Sequence, residues 1–210
     1  MADTRAANLG AEEAAQALRE GNQRYVSDGL THPRCDSTRR QELSGGQRPF
    51  ATVITCADSR VPPELIFDQG LGDLFVIRVA GNIASDAVLG SIEYASLHLG
   101  VNLVLVMGHR SCGAVGAAVE NLDIDGGATN THIDALIDAI RPAVRTASNA
   151  GSDDLLERSV RENATMVAGQ IGTSEPVMAG LVGSGVQSRA AYYNLQTGEV
   201  EWLSWASDPM

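Results

Sequence analysis

Five residues in two short stretches carry side chains suited to metal-assisted chemistry. Cys56, Asp58 and Arg60 lie in Phe50-Ala-Thr-Val-Ile-Thr-Cys56-Ala-Asp58-Ser-Arg60, and His109 and Cys112 lie in Gly108-His109-Arg110-Ser111-Cys112-Gly113. In extended backbone, positions i, i+2 and i+4 point to one side, so the thiol, carboxylate and guanidinium face one pocket if the chain stays extended past the strand end. His109 and Cys112 share one side of a turn if Ser111 or its neighbours open a helix. Two cysteines and one histidine form a donor set suited to Zn²⁺, with the fourth tetrahedral position left to water or to Asp58. Three protein ligands plus an open position is catalytic logic, whereas a closed shell is structural. Asp58 either closes that shell or is held off by Arg60 in a bidentate pair. If it is held off, a water remains on the metal, and Asp58 can accept its proton and orient it toward a small electrophile. Two thiolates donate more charge than imidazoles would, which raises the expected water pKa and favours activity at alkaline pH.

Both stretches end β-branched, apolar runs, so strands are expected over 50–55 and over 102–107, the second breaking at Gly108. Apolar spacing predicts helices over 11–25, 86–99, 114–121, 133–146 and 153–170, with Gly100 stopping the second of these. Short helical pieces are expected within 38–43, from Val61-Pro-Pro-Glu64 to the Gly70-Leu-Gly72 stop, and from Ser174-Glu-Pro176 as N-cap and early proline to about 183–185. A strand over 73–80 follows the first motif, and the C-terminus reads as strand 186–195, a turn at 196–198 and strand 200–205. The polar segment 27–49 reads as surface loop, with His32 and Cys35 in its least ordered part. Alternating strands and helices with nearly continuous apolar strands give an α/β class: a mostly parallel central sheet flanked by helices, with an N-terminal helical arm and a C-terminal strand-turn-strand. The whole of 1–210 is expected to be one domain, with 1–49 as arm and loop and 50–210 as the α/β core. In such folds a site lies outside the carboxyl ends of the strands, where both motifs fall.

The 210 residues are 44% hydrophobic, enough for a proper core and without an apolar run long enough for a membrane span. Fifteen Lys plus Arg against 26 Asp plus Glu give a net charge of −11, which argues against nucleic acid and anionic membranes as partners. The first eight residues lack the pattern of a secretory signal, and three cysteines with no CxxC pair suggest reduced thiols; a cytoplasmic location is expected.

Cys56-Ala-Asp58-Ser-Arg60 followed by His109-x-x-Cys112-Gly-Ala resembles the β-class carbonic anhydrases. The similarity extends to Gly21-Asn22-Gln-Arg-Tyr-Val, Phe75-Val-Ile-Arg-Val-Ala-Gly-Asn82, Gly90-Ser-Ile-Glu-Tyr94 and the terminal Tyr-Tyr-Asn-Leu-Gln-Thr-Gly-Glu-Val-Glu-Trp-Leu. The resemblance implies reversible hydration of carbon dioxide to bicarbonate and a proton by attack of a zinc-bound hydroxide. It implies one Zn²⁺ per chain on Cys56, His109 and Cys112, with Asp58 and Arg60 as catalytic dyad and Asp58 as fourth ligand in a closed state. It also implies a homodimer or homotetramer whose N-terminal helix embraces the neighbour. Gln47, Phe75 and Tyr94 match the substrate pocket of the plant-like, type I subgroup. In the other subgroup, bicarbonate binds beside a tryptophan and drives the aspartate onto zinc. Val53 stands at that tryptophan position, while Arg78 matches an arginine common to both.

Singly, each of these residues has a plainer reading: a buried cysteine is more often a small hydrophobe, an Asp-Arg neighbour pair an ordinary ion pair, Phe75 core and Gln47 loop. Five of them at two strand ends reverse that balance. His98 and His132 read as surface or packing residues rather than proton carriers. The alternatives on the same zinc site are hydrolysis of carbonyl sulfide or carbon disulfide, or a non-catalytic zinc-binding interaction protein with Asp58 fixed on the metal.

Overall fold

The computed structural model describes residues 9–124, 127–151 and 153–203. Five strands, β1 Ala51–Thr55, β2 Leu74–Arg78, β3 Leu103–His109, β4 Gln187–Tyr193 and β5 Val200–Leu203, form one sheet in the order β2-β1-β3-β4-β5. The first four pair in parallel and β5 closes the far edge antiparallel to β4. On β3, Leu103, Leu105 and Met107 enter one core and Val104 and Val106 the other, all fully buried. That is the two-sided burial that near-continuous apolar strands require. At roughly 1.5–3 kcal/mol per buried side chain, this strand anchors both layers.

One layer is built by α1 Ala11–Val26, α3 Pro63–Ile66, α5 Gly113–Glu120 and α6 Ile133–Asn149. The other is built by α4 Asp86–Leu99, α7 Leu155–Gly172 and α8 Met178–Val182, with α2 Ser37–Glu42 in the first long connection. Helix α4 ends on Gly100 in the left-handed conformation (φ 69°), as an αL cap demands. Helix α1 begins where the Glu13 carboxylate accepts the Gly10 N–H at 2.9 Å. Its Ala14, Ala15 and Leu18 belong to the same cluster as Val53 and Leu105, which seats its apolar face on this chain's core. Asn22 fixes it further, donating to the carbonyls of Ile66 (3.2 Å) and Gly198 (2.8 Å) and accepting the Val200 N–H at 2.9 Å.

Several expectations are corrected. Strand β3 does not break at Gly108 but runs on to His109, because the missing side chain lets the strand lie against α7: a Cβ there would stand 2.9 Å from Val160 Cγ1. Residues 175–177 form turns and α8 starts at Met178 with Val177 as its N-cap, so Ser174-Glu-Pro176 is not its cap. Segment 27–49 is not loosely held. Asp68 accepts the backbone N–H groups of Thr31 and His32, the Thr31 hydroxyl at 2.7 Å and Arg24 Nε at 2.6 Å. Asp73 accepts Arg34 Nε at 3.0 Å and the Gly70 N–H at 2.8 Å. Ser204 and Trp205, expected in the last strand, lie outside the described residues.

Candidate metal centre

Strands β1 and β3 are parallel neighbours with Thr55 opposite Met107, so their carboxyl ends finish side by side. Cys56 follows β1 at once, His109 is the last residue of β3, and Cys112 is the N-cap of α5. The ligand atoms of these three residues lie within 4.8 Å of one another. The two sulfurs stand 3.9 Å apart and both thiols are free; a disulfide needs about 2.05 Å. All three side chains are buried, with His109 at 0% exposure.

The donor atoms are oriented for a cation. His109 Nδ1 lies 2.9 Å from the Arg110 carbonyl oxygen, which makes it the N–H nitrogen, and Nε2 is buried without a hydrogen-bond partner among the described residues. The ring therefore turns a lone pair inward. Cys56 is pushed to a low pKa by its contact with Cys112, aided by His109 and by the Gly81 N–H at 3.4 Å. The same contact and burial push Cys112 up. A divalent cation at this point would hold both as thiolates. An inward imidazole lone pair and two soft sulfurs fit Zn²⁺.

Asp58 stands beside this set with Oδ2 3.9 Å from His109 Nε2. Arg60 engages both carboxylate oxygens: Nε and the backbone N–H each donate to Oδ1 at 2.9 Å, and Nη2 donates to Oδ2 at 2.7 Å. The Arg60 guanidinium holds the Asp58 carboxyl well below the usual carboxylate range, against a smaller upward push from burial. The extended run does not continue to Arg60 as alternate spacing suggested. A turn closed by the Val61 N–H on the Asp58 carbonyl at 3.2 Å folds Arg60 back onto the carboxylate, which captures its N–H.

Sequence reasoning missed what holds this turn. Arg78, at the end of β2, donates from Nε to the Cys56 carbonyl at 3.0 Å and from Nη2 to the Asp58 carbonyl. The sequence marked Arg78 only as matching an arginine shared by both family subgroups and as ending an apolar strand, neither of which pointed to this turn. Of the expected pocket residues, Phe75 and Tyr94 come together with ring centroids 6.3 Å apart, and Tyr94 lies 5.2 Å from the His98 ring. Both belong to the side of the sheet where β2 is the edge and α4 packs, and Tyr94 is 48% exposed. Gln47 is exposed in the segment leading to β1. Val53 is fully buried in β1.

A family model described as carbonic anhydrase matches residues 51–200. Carbonic anhydrase 2 of Mycobacterium tuberculosis is 42% identical over 171 residues, covering 80% of this chain and 82% of that protein. The carbonic anhydrase of Mycolicibacterium smegmatis is 38% identical over 195 residues, covering 93% and 94%. Among solved structures, Coccomyxa β-carbonic anhydrase in complex with acetazolamide superposes with a TM-score of 0.70 at 29% identity, covering 88% of this chain and 83% of that one. The matched region includes both strands that carry the metal donors and most of the chain around them, and the chain belongs to the β-carbonic anhydrase family.

Proposed function

We propose that the protein catalyses the reversible hydration of carbon dioxide to bicarbonate and a proton, with one Zn²⁺ per chain on Cys56, His109 and Cys112. The observation that carries this reading is the Asp58 carboxylate, pinned through both oxygens by Arg60 while standing 3.9 Å from the inward nitrogen of His109. Zinc supplies Lewis-acid activation of a water near neutral pH when bound. The chain supplies the rest. Arg60 keeps Asp58 from completing the donor set and keeps it ionised. Asp58 then accepts a hydrogen bond from the attacking water and directs its lone pair at the substrate carbon. Phe75 and Tyr94 form the apolar wall for an uncharged gas, and the Gln47 amide donates to an oxygen of substrate or product. Val53 in place of a tryptophan supports an enzyme without the inhibitory bicarbonate site.

Stopped-flow hydration of carbon dioxide from about pH 6.5 to 9 on metal-quantified protein tests the reading. Turnover that persists near neutrality is expected, with acetazolamide as inhibitor. Faster turnover of carbonyl sulfide or carbon disulfide would reassign the substrate, and full zinc with no turnover of any of the three gases would leave a binding role. The working unit is a homodimer or homotetramer in the cytoplasm; among the described residues no helix is long and apolar enough to cross a membrane.

A further inference from the structure

Asn163, on α7, is a polar side chain only 2% exposed that the chemistry above does not use. On its helix it sits among Val160, Ala164 and Val167, all buried, where an amide is costly unless its hydrogen bonds are made. Its Nδ2 donates to the Gly81 carbonyl at 2.8 Å. Gly81 lies in the turn after β2 with φ of 71°, and its own N–H donates to Cys56 Sγ at 3.4 Å. The turn is held on every side. The Val79 N–H reaches the Thr55 carbonyl at 3.1 Å, the Asn82 N–H reaches the Val79 carbonyl at 2.9 Å, and a Cβ on Gly81 would meet Ile140 Cδ1 at 2.5 Å and Ala114 Cβ at 3.2 Å.

We propose that Asn163 is a positioning residue for the metal centre: by holding the Gly81 carbonyl it aims the Gly81 N–H at the sulfur of Cys56 and drains charge from that thiolate. The inference rests on Cys56 being a metal ligand, as proposed above. The N–H and C=O of Gly81 belong to successive peptide planes, so fixing one across a left-handed residue fixes the other. A thiolate that accepts an N–H bond gives less charge to its metal and leaves the metal a stronger Lewis acid. With a metal held by two sulfur donors, such a bond would trim the donation that weakens its Lewis acidity. Outer partners of this kind change metal affinity by about 10- to 100-fold.

The test uses the whole protein loaded with ¹¹³Cd or Co²⁺ in place of zinc. In the wild-type cadmium form, the Gly81 amide proton should couple to the metal through its hydrogen bond to sulfur. Asn163→Asp keeps the shape and loses the donor. It should abolish that coupling, move the sulfur-to-cobalt charge-transfer band to lower energy and change the chelator competition curve by about tenfold or more. If Cys56→Ser leaves the cadmium signal unchanged, Cys56 is no ligand and the zinc reading itself falls. Cadmium on Cys56 without coupling to Gly81 overturns this inference alone, a result that needs no variant to fold. A lower melting temperature for Asn163→Asp with unaltered cobalt spectrum and chelator curve reduces Asn163 to packing and overturns it as well.

Discussion

Two aspartates held by arginines illustrate how differently one ion pair behaves at two depths. Asp58 stands beside the donor set, its side chain 19% exposed and paired with an Arg60 that is 55% exposed, so the pair adds little to stability. Asp58→Asn should therefore retain zinc and the fold while hydration falls about 100-fold or more. Metal content and stopped-flow rate on one preparation decide it, and zinc loss or undiminished turnover would sink the assignment. Asp68 has a fully buried side chain. Burial pushes its pKa up, but Arg24, Thr31 and His32 outweigh that and bring it from 3.8 to about 2. A depressed folded-state value means the stabilisation is complete above about pH 4, shrinks as the pH falls and is gone below about 2. Its size near neutrality is about 2 kcal/mol. Denaturant unfolding of wild type and Asp68→Asn should show that gap at pH 6 to 7, closing progressively between about pH 4 and 2. A gap that does not change with pH would mean the charge is not what holds residues 31 and 32.

At the scale of elements, two glycines inside regular structure mark where backbones touch. Gly21 lies within α1, where alanine would ordinarily favour the helix by about 1 kcal/mol. Here a Cβ would stand 1.7 Å from the Phe67 carbonyl oxygen, so Gly21→Ala must push α1 off the end of α3. A net destabilisation of about 2 kcal/mol or more is expected in urea unfolding, and a stabilised variant would contradict the close approach. Gly108 plays the same part between β3 and α7. Local sequence pattern reads such a glycine as a break, which is why the expected strand stopped at Met107 while the real one carries His109 to the site. The helices were legible for the opposite reason: the apolar spacing of 86–99 and its glycine stop are local signals that packing did not override. The contacts pinning segment 27–49 were not legible, because Asp68 and Asp73 lie far along the chain from the residues they hold.

At the scale of the molecule, the metal and the assembly should both appear in stability. Removing zinc with a chelator leaves two buried thiols in contact without a cation, so the melting temperature should fall and recover on adding zinc back, by linkage. An unchanged melting curve in metal-free protein would mean the centre does not couple to the fold. Along α4, Tyr94 (48% exposed) and Leu97 (52%) present an apolar strip beside the sheet edge formed by β2. Exposed apolar area of that kind commonly marks an interface. Leu97→Lys should shift the species seen by sedimentation equilibrium toward monomer, and an unaltered mass would place the interface elsewhere.

Residue types and their spacing determined the donor set, since two thiols and an imidazole after apolar strand runs are a chemical statement that needs no coordinates. Periodicity likewise determined the α/β class, because side-chain burial on strands and helices repeats locally. Only the tertiary structure decided that β1 and β3 lie side by side, that Arg60 turns back to grip Asp58, that Arg78 braces the turn, and that α1 is seated on its own core. Each of these is a contact between positions whose geometry is set by packing and strand register rather than by neighbours in sequence. A chain read residue by residue carries the candidate donors, and the fold alone determines how far apart they stand.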